Sequence, residues 1–456
     1  MKLLLPALLC STSVAIATEL DRQLDRLAQP YVDSETVVGM TLGVVRGDDR
    51  VVRGYGRFSE DDSRVPDGET IYEIGSVSKV FTGLLLADAV IESRVSLVTP
   101  VEDLLPKGVK MKRRHESFPI RLWHLSTHTS GLPRLPGNMS PKDATNPYAD
   151  YGGRQLAAFL KEFQPRKRPG EEMAYSNLGV GLLGEVLSRE RKLSYDELLQ
   201  QRIAEPLGMA DTRIELNDDQ RKRFAPPHYK GGTPGANWDL NKLAGAGAIR
   251  STADDLLTFA TANLAPRDTS LRHAIELAWM VHQKPIEDSD FAMGLGWHVA
   301  RDGSTRWHNG ETGGYHAALF VNRPAKAAVV VLANTATSEV DTLAQQVIQM
   351  LGGQKVKPRS FEPAEESVEV SAEAMKRLVG KYALAPTFVF DVRVKGDRLM
   401  VGVTNQPTFE VFPRSETEWF YKAVKATLRF DVDASGVCNA VELDQNGIRQ
   451  TAKRVE

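Results

Sequence analysis

A serine and a lysine separated by two residues form the pattern with the clearest chemical potential. Ser76 and Lys79 lie in the stretch YEIGSVSK, residues 72–79, and on the first turn of a helix this spacing brings both side chains to one face. A serine hydroxyl needs a nearby base to become a nucleophile, and a neutral lysine amine can be that base. The pKa of a free lysine, about 10.4, then has to fall by ~3 units, which burial of an ammonium group can achieve.

The same spacing also describes a helix start with a serine cap, and two later motifs favour the catalytic interpretation. YSN stands at residues 175–177 and HNG at residues 308–310. In type and order the three motifs resemble SxxK, YxN and K/H/W-x-G of the superfamily of class C β-lactamases, serine DD-peptidases and family VIII esterases. The resemblance covers residues 18 to about 351 and includes HLSTHTSGL at 124–132, EPLGM at 205–209 and RSTADD at 250–255.

The resemblance implies a role for each motif residue. Ser76 would be the nucleophile, Lys79 its activator, and Tyr175 the phenol or phenolate that relays the proton to the leaving group. Asn177 would hold Lys79 and the substrate amide. The backbone N–H groups of Ser76 and Glu311 would form an oxyanion hole, in which one donor is worth ~3 kcal/mol.

The third motif departs from the β-lactamase pattern at His308, where those enzymes usually carry a lysine that binds the substrate carboxylate. An imidazole with a free pKa of about 6.5 is mostly neutral at pH 7, so we expect His308 to bind an anionic substrate more weakly. HxG is similar to the motif of several DD-peptidases and related D-amino-acid hydrolases. A purely structural strand histidine is the alternative. Gly310 would leave room for the substrate beside its strand.

The leading hypothesis is therefore a serine hydrolase acting on D-amino-acid peptides, with slow turnover of β-lactams because both substrates acylate the same serine. The first alternative is an esterase for short acyl esters, and the second is a non-catalytic sensor that binds muropeptides or penicillins. Three intact motifs argue against the sensor. We expect the loops between residues 133 and 172 to decide among the substrates.

Other side-chain patterns give weaker candidates. His124 and His128 have zinc-like spacing, but no glutamate follows His124 and no third ligand is evident, so we expect them to anchor a loop. Ser251 with Asp254 reads as a helix capping box beside Arg250, whose expected role is structural. The acid pairs at 171–172, 218–219 and 254–255 read as solvated charges, which excludes a glycosidase. We expect no metal and no cofactor.

The order of predicted elements fits this superfamily. Residues 37–55 predict a β-hairpin, and residues 307–320 and 327–332 predict further strands. Residues 80–91 are almost wholly apolar, which predicts a helix buried on every side, and 343–351 predict another helix. The resemblance implies an α/β (α+β) fold, with an antiparallel sheet flanked by helices and an inserted helical subdomain.

The last part of the chain changes character. Five short alternating stretches with turn signals between them predict a small all-β domain, either a sandwich or a barrel, and it resembles the lipocalin-like domains appended to some members of the superfamily. We therefore divide the chain into a leader at 1–17, a hydrolase domain at 18–352, a linker at 353–371 and a β-domain at 372–456. Cys438 in the β-domain reads as a buried, inert thiol.

Composition limits the partners and the compartment. The chain of 456 residues has 42% apolar and 25% charged residues and a net charge of -2, which offers no electrostatic footprint for nucleic acid. A charged start, an apolar stretch and Ala15-Ile16-Ala17 predict a signal peptide and thus a periplasmic or secreted protein; a hydrophobic first helix and a lipoprotein acylated at Cys10 are the alternatives. A small acyl substrate fits best as partner, no transmembrane segment is expected in the mature protein, and the oligomeric state stays open.

Overall fold

The computed structural model describes residues 7–112, 118–286, 292–361, 365–404, 406 and 408–455, with side chains from Glu19 onward. Residues 1–6 of the predicted leader lie outside these ranges, and the backbone of 7–17 forms the start of the first helix, Ala7–Asp33. The signal peptide therefore stays a prediction. Of the helices in the described ranges, none has the length and apolar character needed to cross a bilayer.

Helices and short strands alternate through the first three quarters of the chain. The helices are α1 Ala7–Asp33, α2 Ser78–Ile91, α3 Leu122–Ser126, α4 Gly153–Glu162, α5 Asn177–Arg191, α6 Tyr195–Leu199, α7 Glu205–Leu207, α8 Asp218–Lys222, α9 Ala253–Leu264, α10 Arg272–Trp279 and α11 Glu339–Leu351. The strands are β1 Gly39–Arg46, β2 Asp49–Gly56, β3 Ile71–Glu73, β4 His228–Tyr229, β5 Arg250–Thr252, β6 Ala292–Met293, β7 His298–Val299, β8 Thr305–Glu311, β9 His316–Asn322, β10 Ala327–Ala333 and β11 Thr335–Ala336.

One antiparallel sheet organises this part of the molecule. Its described strands run in the order β2-β1-β10-β9-β8-β7-β6. Side chains of successive strand residues point to opposite faces, and both faces of the central strands are apolar. Val329 and Val331 pack with α1 and α11, whereas Val330 and Leu332 pack with the core that contains α2 and α9. The predicted α/β (α+β) fold with an antiparallel sheet between helices is confirmed.

Helix α2 lies inside the larger core. Residues 78–89 are all buried, as the apolar composition predicts. Gly83 permits this because a Cβ there would lie 2.1 Å from the carbonyl oxygen of Leu295. Helix α2 therefore packs directly against the backbone at Leu295 and Gly296.

The remaining residues form the predicted all-β domain, which is a closed barrel. After helix α12 Ala372–Leu378, its strands are β12 Gly380–Ala385, β13 Phe388–Lys395, β14 Arg398–Val403, β15 Phe409–Pro413, β16 Glu418–Phe420, β17 Ala426–Val432, β18 Cys438–Gln445 and β19 Ile448–Arg454. The five predicted strands are present, and β12, β15 and β19 are additional. Cys438 is a buried free thiol, as predicted.

Ion pairs and ring contacts join the barrel to the first domain. Lys422 Nζ lies 2.8 Å from a carboxylate oxygen of Glu35, and Arg398 lies 2.7 Å from Glu60. The ring centres of Tyr229 and Phe409 are 5.1 Å apart. The barrel therefore lies against β4 and the segments that follow α1 and β2.

Two local predictions need correction. The cap of α9 is Thr252, whose side chain accepts a hydrogen bond from Asp255 N, so the predicted capping box at Ser251 is one residue too early. Asp255 is not simply a solvated charge: it accepts hydrogen bonds from Asp211 N and from the Thr212 hydroxyl, both at 2.8 Å, and burial raises its pKa to about 6.

The two histidines considered as zinc ligands do not share a helix face, because α3 ends at Ser126 and His128 has a φ of 60°. His124 Nδ1 accepts from Arg121 N at 2.9 Å, and His128 Nδ1 accepts from Ser176 N at 3.1 Å. Both rings therefore anchor loop backbone. Within the described residues, no three potential ligands are grouped as a metal ion would require.

Candidate active site

Ser76 and Lys79 meet at the start of the buried helix. Ser76 lies in a single 3-10 turn, Gly75–Val77, between β3 and α2, and its side chain is half-buried. Lys79 Nζ lies 2.7 Å from Ser76 Oγ and donates a hydrogen bond of 2.6 Å to the carbonyl oxygen of Ala246. The spacing in the sequence thus predicts their contact correctly.

The surroundings of Lys79 favour its neutral form. Its side chain is fully buried, and this burial, aided by the positive charge of Arg134, holds the pKa of Lys79 well below its usual value. A neutral amine has one lone pair. Since an N–H group is engaged by Ala246, the lone pair can face the Ser76 hydroxyl and accept its proton.

Tyr175 lies just before α5, and its hydroxyl joins the Ser76 hydroxyl and the Lys79 amine in the site. Ser176 caps the helix by accepting from Gly179 N at 2.8 Å and donates to Pro133 O at 2.7 Å, which fixes the backbone beside Tyr175. Burial raises the pKa of Tyr175 to about 12, against the opposing effect of its hydrogen bond with Ser76. The resting side chain is therefore a phenol, and a phenol can give a proton to a leaving group.

Asn177 faces the same cleft but does not hold Lys79. Its Nδ2 donates to Tyr148 Oη at 3.3 Å, and its Oδ1 has no hydrogen-bond partner among the described residues. Among the described residues Lys79 Nζ contacts Ser76 Oγ and the carbonyl oxygen of Ala246, and no hydrogen bond joins it to Asn177. The Oδ1 atom can still accept a hydrogen bond from an amide N–H group.

His308 lies on β8 and is fully buried. Its Nδ1 is 2.6 Å from the carbonyl oxygen of Asn309, and because a carbonyl accepts, Nδ1 carries the proton. Nε2 is then a bare acceptor, and it has no partner among the described residues. Burial holds the pKa of His308 well below its usual value, so the imidazole is neutral at pH 7, as expected from the sequence.

Gly310 brings β8 against the turn that carries the serine. A Cβ on Gly310 would lie 2.5 Å from Ser76 N and 2.2 Å from Ile74 O, and a Cβ on Gly75 would lie 2.8 Å from Glu311 N. The two backbone N–H groups predicted to form the oxyanion hole are thus on chain segments in direct contact. The space beside Gly310 is filled by this turn, which is the structural requirement for glycine at that position.

Three further side chains, to which the sequence assigns no role in catalysis, lie beside Tyr175 or His308. His128 lies 4.4 Å from the Tyr175 ring and His298 lies 4.6 Å from the His308 ring, measured between ring centres. The guanidinium carbon of Arg134 lies 5.1 Å from the centre of the Tyr175 ring. His128 and Arg134 lie in the connection between α3 and α4, and His298 lies on β7. Both segments are distant in sequence from Tyr175 and α5, so no spacing along the chain indicates that they meet.

Two buried charge clusters support the strand that ends at Glu311. Glu73 accepts a hydrogen bond of 3.0 Å from Trp238 N and lies 3.3 Å from Arg250, and burial raises its pKa to about 7. His316 lies 3.1 Å from Glu311 and 2.8 Å from Asp341. Burial alone would lower the pKa of His316, but these two carboxylates raise it to about 9.

Comparison with known proteins gives two family matches. The Beta-lactamase family matches residues 24–351, which contain every residue of the site described above. A domain of unknown function, DUF3471, matches residues 364–453, which contain the barrel.

Individual relatives agree with the first match. The D-alanyl-D-alanine-carboxypeptidase/endopeptidase AmpH of Escherichia coli K12 is 29% identical over 318 residues, which are 65% of this chain and 80% of that protein. A Beta-lactamase of the same strain is 28% identical over 297 residues, 64% of this chain and 73% of that protein. The crystal structure of a Beta-lactamase/D-alanine Carboxypeptidase from Yersinia pestis superposes with a TM-score of 0.65 at 25% identity, covering 74% of this chain and 99% of that one.

Proposed function

The chain belongs to the Beta-lactamase family and is a serine hydrolase, and we propose that it cleaves D-amino-acid peptides through an acyl-enzyme on Ser76. The observation that carries this proposal is the 2.7 Å contact between Ser76 Oγ and the fully buried Lys79 Nζ. A nucleophile next to an amine whose burial favours the neutral form is the arrangement that acyl transfer needs.

The proposed acylation step uses three side chains. Ser76 Oγ attacks the carbonyl carbon of the substrate while the hydroxyl proton passes to the lone pair of Lys79. The backbone N–H groups of Ser76 and Glu311 stabilise the oxygen that becomes negative. Tyr175 gives its phenolic proton to the departing amine and regains one from Lys79, so the amine leaves neutral and Ser76 carries the acyl group.

Deacylation follows the same path in reverse. A water molecule takes the place of the amine. Tyr175 passes its phenolic proton to the Lys79 amine and takes one from the water, whose oxygen bonds to the acyl carbon; Ser76 Oγ then leaves and takes the proton from Lys79. Asn177 Oδ1 and His308 Nε2 are buried acceptors that have no hydrogen-bond partner among the described residues, and they are proposed to bind N–H groups of the peptide backbone. β-Lactams acylate the same serine and turn over slowly.

The name of the AmpH relative supports a peptide substrate. The second candidate is an esterase for short acyl esters. It is favoured by one observation, the neutral state of the buried His308, which supplies no positive charge for a substrate carboxylate. Comparing turnover of a D-Ala-D-Ala peptide, a fluorescent penicillin and a nitrophenyl ester tests the proposal; the peptide is expected to give the highest kcat/KM, and an ester preference of tenfold or more contradicts it.

We also propose the compartment and the domain limits. An exported protein, periplasmic or secreted, fits a peptidoglycan substrate and the predicted leader at 1–17. Domain limits at residues 352 and 372 are supported by the end of α11 at Leu351 and the start of α12 at Ala372. N-terminal sequencing of the protein secreted by a bacterial host tests the leader, since cleavage after Ala17 is expected.

A further inference from the structure

One positively charged side chain beside Tyr175 is exposed to solvent. The guanidinium carbon of Arg134 lies 5.1 Å from the centre of the Tyr175 ring, and Lys79 Nζ lies 5.0 Å from the same point. Unlike Lys79, Arg134 is exposed. Among the described residues no carboxylate forms an ion pair with it, in contrast to Arg168 and Lys167, which pair with Glu171 and Glu172.

The guanidinium is also not needed to hold its own loop. Main-chain and cap contacts do that: Arg134 O accepts from Leu178 N at 3.2 Å, and Pro133 O accepts from the Ser176 hydroxyl at 2.7 Å. The backbone at residues 133–134 is thus tied to the start of α5 on both sides. The charged end of Arg134 is left at the cleft without a structural partner.

The other basic side chains of the site cannot bind an anion. The proton of the His308 imidazole is on Nδ1, which is bonded to Asn309 O. Nε2 therefore carries a lone pair, and a lone pair repels a carboxylate oxygen. Lys79 is buried and engaged by Ser76 and Ala246. Arg250 is bound to Glu73 and Asp239. Of the cations described near Tyr175, Arg134 alone is both charged and accessible.

We propose that Arg134 binds the carboxylate of anionic substrates and so selects peptides with a free C-terminus. A guanidinium forms two parallel hydrogen bonds with a carboxylate, and the stacked Tyr175 ring limits where the guanidinium can lie. In this chain Arg134 then provides the charge that His308 lacks. The inference rests on the proposed function, because it names the feature of the peptide that the same site recognises.

The test is a pair of peptides that differ in one charge. One ends in D-Ala-D-Ala with a free carboxylate, and the other ends in the corresponding C-terminal amide. The measured ratio is kcat/KM for the carboxylate peptide divided by kcat/KM for the amide peptide. It is determined for the full-length wild type, Arg134→Gln, Arg134→Lys and Arg267→Gln. Arg267 is an exposed arginine in the turn after α9, and its variant controls for the loss of one positive charge elsewhere.

We expect the ratio to fall about fivefold in Arg134→Gln, which is the effect of a solvent-exposed ion pair of ~1 kcal/mol. The ratio should fall less in Arg134→Lys, which keeps the charge but not the bidentate geometry, and stay unchanged in Arg267→Gln. Raising the salt concentration from 50 to 500 mM should lower the ratio of the wild type and not that of Arg134→Gln. An equal loss on both peptides, or no change in the ratio, overturns the proposal.

A second substrate pair separates this inference from the proposed function. Nitrophenyl acetate and nitrophenyl hydrogen succinate differ in charge but need no peptide specificity. If the wild type cleaves neither peptide, the proposed peptide substrate is wrong, and the ester ratio decides on Arg134 by the same criteria. If no substrate is turned over, the dissociation constants of the two peptides are measured by calorimetry on Ser76→Ala. The dissociation constant of the amide peptide divided by that of the carboxylate peptide then replaces the ratio of kcat/KM values.

Discussion

Gly310 lies so close to Ser76 that a Cβ on Gly310 would be 2.5 Å from the backbone nitrogen of Ser76. This contact joins the strand that ends at Glu311 to the turn that carries the nucleophile. The two N–H groups proposed to stabilise the developing negative charge lie on these two segments. The geometry of the site therefore depends on the absence of a side chain at position 310.

Gly310→Ala should abolish most activity. The added methyl group meets backbone atoms, which cannot turn aside as a flexible side chain can, so the turn and the strand must separate. We expect kcat/KM to fall by at least about 100-fold, the cost of losing one oxyanion donor, and stability to fall by about 1 to 3 kcal/mol. Gly137→Ala is the matched control, since a Cβ there has no neighbour within 4 Å. Near-normal activity of Gly310→Ala would show that the contact is not needed.

Lys79→Arg should be as inactive as Lys79→Ala. An arginine keeps the positive charge but has no lone pair at any accessible pH, so it cannot take the proton of Ser76. A loss of about 100- to 10,000-fold in the acylation rate is expected for both variants, measured by stopped flow with a fluorescent penicillin. Substantial acylation of Lys79→Arg contradicts the assignment of Lys79 as the base.

His308→Lys should increase the preference for anionic substrates. A permanent charge beside the oxyanion hole is worth about 1 kcal/mol after desolvation, or roughly fivefold in the ratio of carboxylate to amide peptides. Because position 308 is fully buried, burying a charged lysine there should give the same variant a lower melting temperature. His308→Gln, which stays neutral, is the control and should leave the ratio near that of the wild type. An unchanged ratio in His308→Lys means that position 308 does not face the carboxylate.

Stability should depend on pH through His316. The two carboxylates raise its pKa to about 9 in the folded chain, above the value of about 6.5 expected when unfolded. The protonated imidazole therefore stabilises the fold fully below pH 6.5, and this contribution is lost as the pH rises through 9. We expect a loss of about 1 to 3 kcal/mol between pH 6.5 and 9.5, measured by urea denaturation.

His316→Gln removes the group responsible and should flatten that alkaline slope while lowering stability at pH 7. His273, an exposed histidine on α10, provides the control: His273→Gln should keep the slope of the wild type. A slope that survives in His316→Gln assigns the pH dependence to another group.

The sequence predicts those features that depend on neighbours along the chain. Ser76 and Lys79 meet because a helical turn brings residues three apart together. Residues 80–89 of the predicted helix are buried because nearly all of them are apolar, whereas its last residue, Ile91, is exposed. The first hairpin and five strands of the barrel follow from alternation and turn residues. Strands β12, β15 and β19 were missed, since their partners, and not their own patterns, make them strands.

Features that depend on distant contacts could not be read from the sequence. His128 and Arg134, from the connection after α3, and His298, from β7, lie around Tyr175, and no spacing along the chain indicates that these segments meet. Asn177 was expected to hold Lys79, but the carbonyl of Ala246, a backbone atom with no sequence signature, bonds the amine instead. The cap of α9 is Thr252 and not the predicted Ser251. Both residue types can cap a helix, and only the backbone geometry selects one of them.

The proposed acyl-enzyme is tested most directly by the mass of the intact protein after mixing with a penicillin. The wild type should gain the mass of one acyl group, located by peptide mapping on Ser76, and Ser76→Ala should gain none while melting within a few degrees of the wild type. Ser78→Ala is the control: Ser78 is buried two residues away and accepts a hydrogen bond from Ile249 N, so its loss affects stability but leaves the nucleophile, and the adduct should still form. An adduct on Ser76→Ala would place the nucleophile elsewhere and contradict the account.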